Sequence, residues 1–338
     1  MAVWLLLCCA AIFAMVVIGG ITRLTESGLS ITEWKPVAGV LPPLSEDAWQ
    51  AEFEGYRQIP EFRERRPDMT LAEYKTIFWW EYVHRLWGRL IGVAYLLPLI
   101  GFVAAGRVRG ALVWRLGGIF MLGGLQGVLG WYMVQSGLAD RVDVSPYRLT
   151  AHLGLAVLIY AATLWTALDL LRPASRERRV AQRTVDWRAL ALAALVFVTM
   201  MAGGLVAGHD AGFIYNTFPL MDGRLVPAGY LDQAPWWLNP FANPAAVQFD
   251  HRVLGIATVL LALLYWARAR RDAVGGAVHL VAAMAVIQVA LGISTLLLVV
   301  PIPLAALHQA GAVTLFTLAL VAAQAGRKPS AVSKEAVS

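Results

Sequence analysis

Eight runs of apolar residues, each long enough to cross a bilayer, dominate this chain of 338 residues. They lie at about 2–21, 84–105, 112–134, 149–171, 189–208, 249–267, 274–299 and 303–325. A spanning helix needs about 20 apolar residues, so the sequence predicts an all-α integral membrane protein with eight transmembrane helices. Composition agrees: 59% of residues are apolar and 15% are charged, with a mean hydropathy of +0.61. A soluble globular enzyme carries roughly a quarter charged residues, and a disordered chain lacks the apolar content altogether. The first run has no basic residues ahead of it and no small-residue cleavage site behind it, so it reads as a retained span rather than a signal peptide. The two cysteines, Cys8 and Cys9, are adjacent within that run. Neither a disulfide framework nor a thiolate metal site is expected from them.

Basic residues give the sidedness. The short loops after the second, fourth and sixth runs, together with the C-terminal tail, hold 14 of the 28 Lys and Arg. The opposite segments hold few: Arg141 and Arg148 at 135–148, and Arg224 alone at 209–247. Both termini are therefore expected in the cytoplasm of a bacterial inner membrane, with the segments 22–76 and 209–247 outside. The arginine-rich stretch at 172–188 follows from the same rule and calls for no nucleic acid.

The chain also repeats itself. GGITRLTESGLSITEWKPVAGVLPP follows the first run and GGLVAGHDAGFIYNTFPLMDGRLVP follows the fifth. Gly19, Gly20 and Gly28 match Gly203, Gly204 and Gly212 at a constant offset of 184. HRLWG from His84 recurs as HRVLG from His251, QGVLG from Gln126 as QVALG from Gln288, and His152 as His308. The expected organisation is an N-terminal four-helix half at 1–172, a basic linker at 173–188, a second half at 189–326 and a tail at 327–338. Four spans separate the copies, so they run parallel, as two pseudo-symmetric four-helix bundles related by an axis along the membrane normal.

His84, His152, His251 and His308 each fall within about two turns of the outer end of an even-numbered span, two in each half. Histidine inside a membrane is costly and is usually partnered. Neutral imidazole suits Zn, Cu and Fe, but a zinc site would add carboxylate or thiolate ligands in a compact cluster. Paired imidazoles on facing helices instead suit the axial ligands of a heme, His84 with His152 and His251 with His308. Gly88, Gly154, Gly255 and Gly311 near them would leave room for a flat macrocycle. Arg85, Arg89, Arg148 and Arg252 lie at the same level and are candidates for pairing propionates, since guanidinium recognises carboxylate in bidentate fashion. His209 and His279 lie apart and are expected to be structural. Glu81 precedes His84 by three residues, on the same helix face. Gln248 stands in its place in the second half, which marks Glu81 as the candidate catalytic group.

Together these strings resemble the heme A synthase family, from GGITRLTESGLSITEWKPVAGVLPP through EYVHRLWGRLIG, RLTAHLGLA, AGFIYNTFPLMDG and FDHRVLG to LHQAGA. The resemblance covers nearly the whole chain. It implies oxidation of a methyl group of heme O to the formyl group of heme A, for use in terminal oxidases. It implies a heme B cofactor on His251 and His308, a substrate heme facing His84 and His152, and a requirement for Glu81. Some members carry a cysteine pair in an outer loop. This chain has none and resembles the cysteine-lacking subgroup of proteobacteria and mitochondria. Heme O, membrane lipid, an electron acceptor and a heme O synthase are the partners implied.

The alternative is a di-heme b-type cytochrome exchanging electrons with quinone. It explains four histidines equally well, but not a carboxylate in one half only. Nor does it explain two hemes at one depth, since electron transfer across the membrane wants hemes at both. No GxGxxG opens a helix after a strand, so no nicotinamide or flavin site is expected.

Overall fold

The computed structural model describes residues 1–34, 38–138, 142–171, 185–270 and 275–325. Most of the predicted linker and all of the tail at 327–338 lie outside the described residues, and with them many of the arginines that give the sidedness. The chain is helical. Among the described residues the only β-pairing is an isolated bridge between Met221 and Arg224.

The helices are α1 (Ala2–Leu24), α2 (Glu46–Arg57), α3 (Pro60–Arg65), α4 (Leu71–Ala104), α5 (Ala111–Leu138) and α6 (Pro146–Leu171), followed by α7 (Trp187–Gly208), α8 (Asn239–Ala242), α9 (Pro244–Ala269), α10 (Gly275–Leu297) and α11 (Ile302–Ala325). Eight of them, all but α2, α3 and α8, are long and apolar enough to cross a membrane. They correspond one for one to the eight predicted spans, and the chain is a multi-pass membrane protein.

Packing closes two rings of four. α1 packs on α4, α4 on α5, α5 on α6 and α6 back on α1; α7, α9, α10 and α11 do the same in that order. The rings meet where α1 touches α11 and α6 touches α7, with α6 and α11 also in contact. Exchanging α1, α4, α5 and α6 for α7, α9, α10 and α11 maps this set of contacts onto itself. Small residues on the helices that meet at this seam are fully buried: Ala167 on α6, Ala189 on α7, and Ala319, Ala322 and Ala323 on α11. In lipid there is little hydrophobic drive between helices, and small side chains gain close backbone packing instead.

The second span starts at Leu71, well before the predicted 84. Thr70 and Glu73 form a reciprocal capping box there: the Thr70 hydroxyl accepts from Glu73 N–H at 3.3 Å, and Glu73 accepts from Thr70 N–H at 2.8 Å. The extra turns stand beyond the apolar run and pack with α2 and α3, which fall inside the segment 22–76 expected outside. Trp49, Phe53, Tyr56, Phe62, Tyr74 and Phe78 form a second core beneath these short helices, with Trp49–Phe78 and Phe53–Tyr74 centroids 4.8 and 5.1 Å apart. Within it Glu61 is 3% exposed. Burial pushes its carboxyl up to about 7, against the pull of Arg66.

Candidate functional site

Each ring of helices carries two of the predicted histidines. His84 is on α4 and His152 on α6; His251 is on α9 and His308 on α11. The His251 and His308 imidazoles face each other with ring centroids 6.3 Å apart and planes at 88°. An imidazole nitrogen binds a metal at about 2.0–2.1 Å, and the ring centre lies about 1.2 Å beyond it, so two opposed ligands place their centroids about 6.4 Å apart. The observed spacing therefore fits a metal held between two Nε2 atoms. His84 and His152 lie within electrostatic reach of one another in the first ring. Among the described residues no side chain or backbone group hydrogen-bonds any of the four Nε2 atoms, and no cluster of three or more His, Cys, Asp and Glu forms a conventional metal cage.

Glycines seat all four rings. A Cβ at Gly19 would meet His84 Cε1 at 2.8 Å, at Gly130 His152 Cε1 at 3.0 Å, at Gly203 His251 Cε1 at 3.0 Å, and at Gly292 His308 Cε1 at 2.8 Å. These are equivalent positions in the two repeats. The second glycine of each GG pair reaches across the seam: Gly20 lies against Gln309, and Gly204 lies 3.4 Å from Leu153 by the same measure. Gln309 and Leu153 each follow a ligand-type histidine of the other half. One dipeptide thus packs against its own half's imidazole and against the partner half's helix. The glycines singled out from sequence for a macrocycle behave differently. Gly88, Gly154 and Gly311 face Met15, Met201 and Gln288, and only Gly255 looks into open space. The glycines that seat the rings sit on neighbouring helices, distant in sequence from the histidine they touch.

The Nδ1 side of the rings is also organised. His251 Nδ1 lies 3.1 Å from the Thr199 carbonyl. Gln126 Nε2 lies 3.2 Å from His152 Nδ1 and donates to the His152 carbonyl at 2.9 Å. Gln288 repeats this on His308 at 3.1 and 2.8 Å. Both glutamines were visible as repeat landmarks, yet nothing local assigns them to a histidine 26 or 20 residues away.

Glu81 is buried, with four donors around it. Ser30 Oγ and Ile31 N–H donate to Oε2 at 2.7 Å each, and Arg85 donates to Oε1 through Nε at 2.9 Å and through Nη2. Arg85 also donates to the Ile31 carbonyl at 2.8 Å, so the pair clamps the chain after α1. The second half builds the same clamp from Gln248 and Arg252. Gln248 donates to the Ala211 carbonyl at 2.7 Å and accepts from Arg252 at 3.1 Å, while Arg252 donates to the Tyr215 and Thr217 carbonyls at 2.6 and 2.8 Å. Arg148 donates to the Tyr132 carbonyl at 2.7 Å and lies 3.6 Å over that tyrosine ring. Arg89 is one turn beyond Arg85 on α4 and partly buried. Arg85, Arg148 and Arg252 are thus engaged with protein groups, each with further guanidinium donors. His209 bonds the Phe241 carbonyl at 2.8 Å, and His279 accepts from Trp266 Nε1 at 2.8 Å. Neither joins the four.

Imidazoles opposed across a gap of one metal ion, as His251 and His308 are, suit the axial ligation of a heme between helices. The profile of the cytochrome oxidase assembly protein family matches residues 2–320, and the chain belongs to that family. A protein named Heme A synthase from Rhodospirillum centenum is 56% identical over 322 residues, 93% of this chain and 85% of that one. Proteins of the same name from Nitrosospira multiformis and Caulobacter vibrioides are 51% and 50% identical, covering 94% and 97% of this chain and 91% and 96% of theirs.

Proposed function

We propose that this protein is a heme A synthase, which oxidises a methyl group of its substrate, heme O, to the formyl group of heme A. The observation that carries the reading is the opposed pair His251 and His308, within a chain about half identical to several proteins of that name. His251 and His308 would hold a heme B cofactor, which when bound supplies one-electron redox chemistry. His84 and His152 would hold the substrate heme. The reading also gives the two halves, 1–172 and 189–326, separate jobs: substrate in the first and electron relay in the second.

Methyl-to-formyl conversion adds one oxygen atom, from water or dioxygen, and withdraws four electrons with release of protons, so dioxygen or an electron acceptor in the membrane must take the electrons. Within the chain, Glu81 is one helical turn from His84, its carboxylate held by Ser30, the Ile31 N–H and Arg85. Such a group stabilises developing positive charge or accepts a leaving proton. The spare donors of Arg85, Arg89, Arg148 and Arg252 would meet propionates. We place both termini in the cytoplasm of a bacterial inner membrane, from the basic excess of the even-numbered loops. A reporter fused at the C-terminus and active only outside the membrane would refute that orientation. A heme O synthase is the natural donor of the substrate, either by direct docking or through lipid.

Extraction of pigments from the purified protein tests the activity. Heme B together with heme O or heme A is the expected content. Heme B alone, from cells that make heme O, would favour an electron-transfer cytochrome.

A further inference from the structure

The four imidazoles share the same glycine seating and differ in what stands behind them. A histidine that ligates through Nε2 carries its proton on Nδ1, so a partner at Nδ1 must accept. The Thr199 carbonyl does this for His251 at 3.1 Å. Gln126 and Gln288 stand at Nδ1 of His152 and His308 at 3.2 and 3.1 Å, and the Oε1 of each is buried with no hydrogen bond. Turning either amide end for end gives Nδ1–H its acceptor and leaves the Nε2 lone pair for a metal, in exchange for the amide's bond to the histidine carbonyl, from which Oε1 must swing away. His84 is the exception. Its Nδ1 is buried and has no hydrogen-bond partner. The residue at the place of Thr199 in the first repeat is Met15, and its carbonyl makes no such bond to His84.

We propose that Gln126, Gln288 and the Thr199 carbonyl are the positioning groups of three axial ligands, and that His84, which lacks one, is the ligand built to release. This inference rests on the reading of the four histidines as heme ligands. It gives the asymmetry between the halves a physical form. The second half, which keeps its cofactor, braces both ligands. The first half, which must admit a substrate and discharge a product, braces His152 and leaves His84 loose. Backing partners of ligand histidines are worth roughly 10–100-fold in metal affinity, so one unbraced ligand biases dissociation to one side of one site.

Carbon monoxide tests this, because it binds a ferrous heme only where an axial ligand has let go. The full-length protein in detergent is loaded with hemin in both halves, reduced and titrated. The expected titration has two phases of equal size, one at least tenfold tighter than the other. The double variant His251→Ala/His308→Ala, which keeps the first site, should retain only the tight phase. His84→Ala/His152→Ala should retain only the weak one. Gln288→Leu should convert the weak phase toward the tight one by roughly 10–100-fold, while Gln288→Glu, which keeps an acceptor, should not. A single phase in the wild-type protein overturns the proposal, as does a tight phase that belongs to the second site. Should the variants not fold, the wild-type titration still decides between one phase and two. The low-spin spectrum of bis-imidazole heme is recorded first. Its absence would overturn the ligand reading and this inference together, whereas its presence with a single phase overturns only the inference.

Discussion

Gly292→Ala is the sharpest perturbation of the second site, because one methyl group meets one ring. The new Cβ would stand 2.8 Å from His308 Cε1, 3.4 Å from Nδ1 and 3.5 Å from Nε2. Ordinary contact begins at 3.4 Å, so the ring must withdraw by about 0.6 Å, three times the roughly 0.2 Å within which metal–ligand distances are held. The ring has little freedom to comply: Nδ1 is held by Gln288 at 3.1 Å, and His251 fixes the far side at a centroid spacing of 6.3 Å. Overpacking of this kind costs about 1–3 kcal/mol, which is roughly 5- to 150-fold in heme retention. The assay is heme B per polypeptide after purification, followed by transfer to an excess of a heme-scavenging apoprotein. Gly276→Ala is the control on the same helix; its Cβ would meet nothing within 4 Å, and an exposed helical glycine replaced by alanine gains about 0.5–1 kcal/mol. Heme retention in Gly292→Ala equal to that in Gly276→Ala would refute the reasoning that glycine at this position exists to seat the ring.

The remaining expectations concern the histidines and two carboxylates. Replacing His251 or His308 by Ala should remove bound heme B, whereas replacing His84 or His152 should leave most of it and abolish heme A output; equal loss from all four would mean the halves are not specialised. Glu81→Gln should keep heme B near the wild-type level and lose most heme A formation, with heme O or an alcohol intermediate accumulating in extracted pigments; normal output would leave Glu81 a structural clamp only. Glu61 sets a pH dependence of stability. Burial raises its carboxyl from 4.5 to about 7, so the folded state holds the proton more tightly than the unfolded chain, and stability falls as pH rises from about 4.5 to 7. Glu61→Gln should flatten that fall, by on the order of 3 kcal/mol at most, in thermal unfolding followed by tryptophan fluorescence from pH 5 to 8. An unchanged slope would place the titration elsewhere.

What was legible in the sequence follows from how local each signal is. Span location is legible because apolarity is a property of the run itself, and all eight were found. The start of α4 was not, because residues 71–83 stand outside the apolar stretch and are helical through a capping box and the cover of α2 and α3. α2 itself hides in a charged segment. Glu46, Asp47, Glu52, Glu54 and Arg57 make five of its 12 residues charged, while Trp49, Phe53 and Tyr56, spaced at four and three residues, turn to the buried side. That helical spacing was the available signal. The histidines were legible through repetition, and so was the asymmetry of Glu81 and Gln248. The partners of the histidines were not. Gln126, Gln288, Gly130 and Gly292 touch rings on the next helix, and Gly19 and Gly203 touch rings on α4 and α9; no periodicity within one helix encodes a contact between two.

The clamps after α1 and α7 bear most directly on why Glu81 is a carboxylate. Gln248 shows that an amide suffices to hold such a loop: it accepts from Arg252 and donates to the Ala211 carbonyl, doing with one side chain what Glu81 does by accepting from Arg85, Ser30 and Ile31. The mechanical requirement is met in both halves, but the first loop offers donors, Ser30 Oγ and the Ile31 N–H, where the second offers the Ala211 carbonyl, so an amide at 81 would leave donors unmatched. A buried carboxylate costs more to desolvate than an amide of the same shape, and in the first half that cost is offset by Arg85 and two further donors. The extra charge therefore has to be read against what differs between the halves rather than what they share. What also differs is His84, unbraced at Nδ1 where His251 is braced. A negative group within one turn of the single loose imidazole can act on whatever that imidazole faces, and Glu81→Gln removes that charge while setting an amide N–H against Arg85 or against Ser30 and the Ile31 N–H.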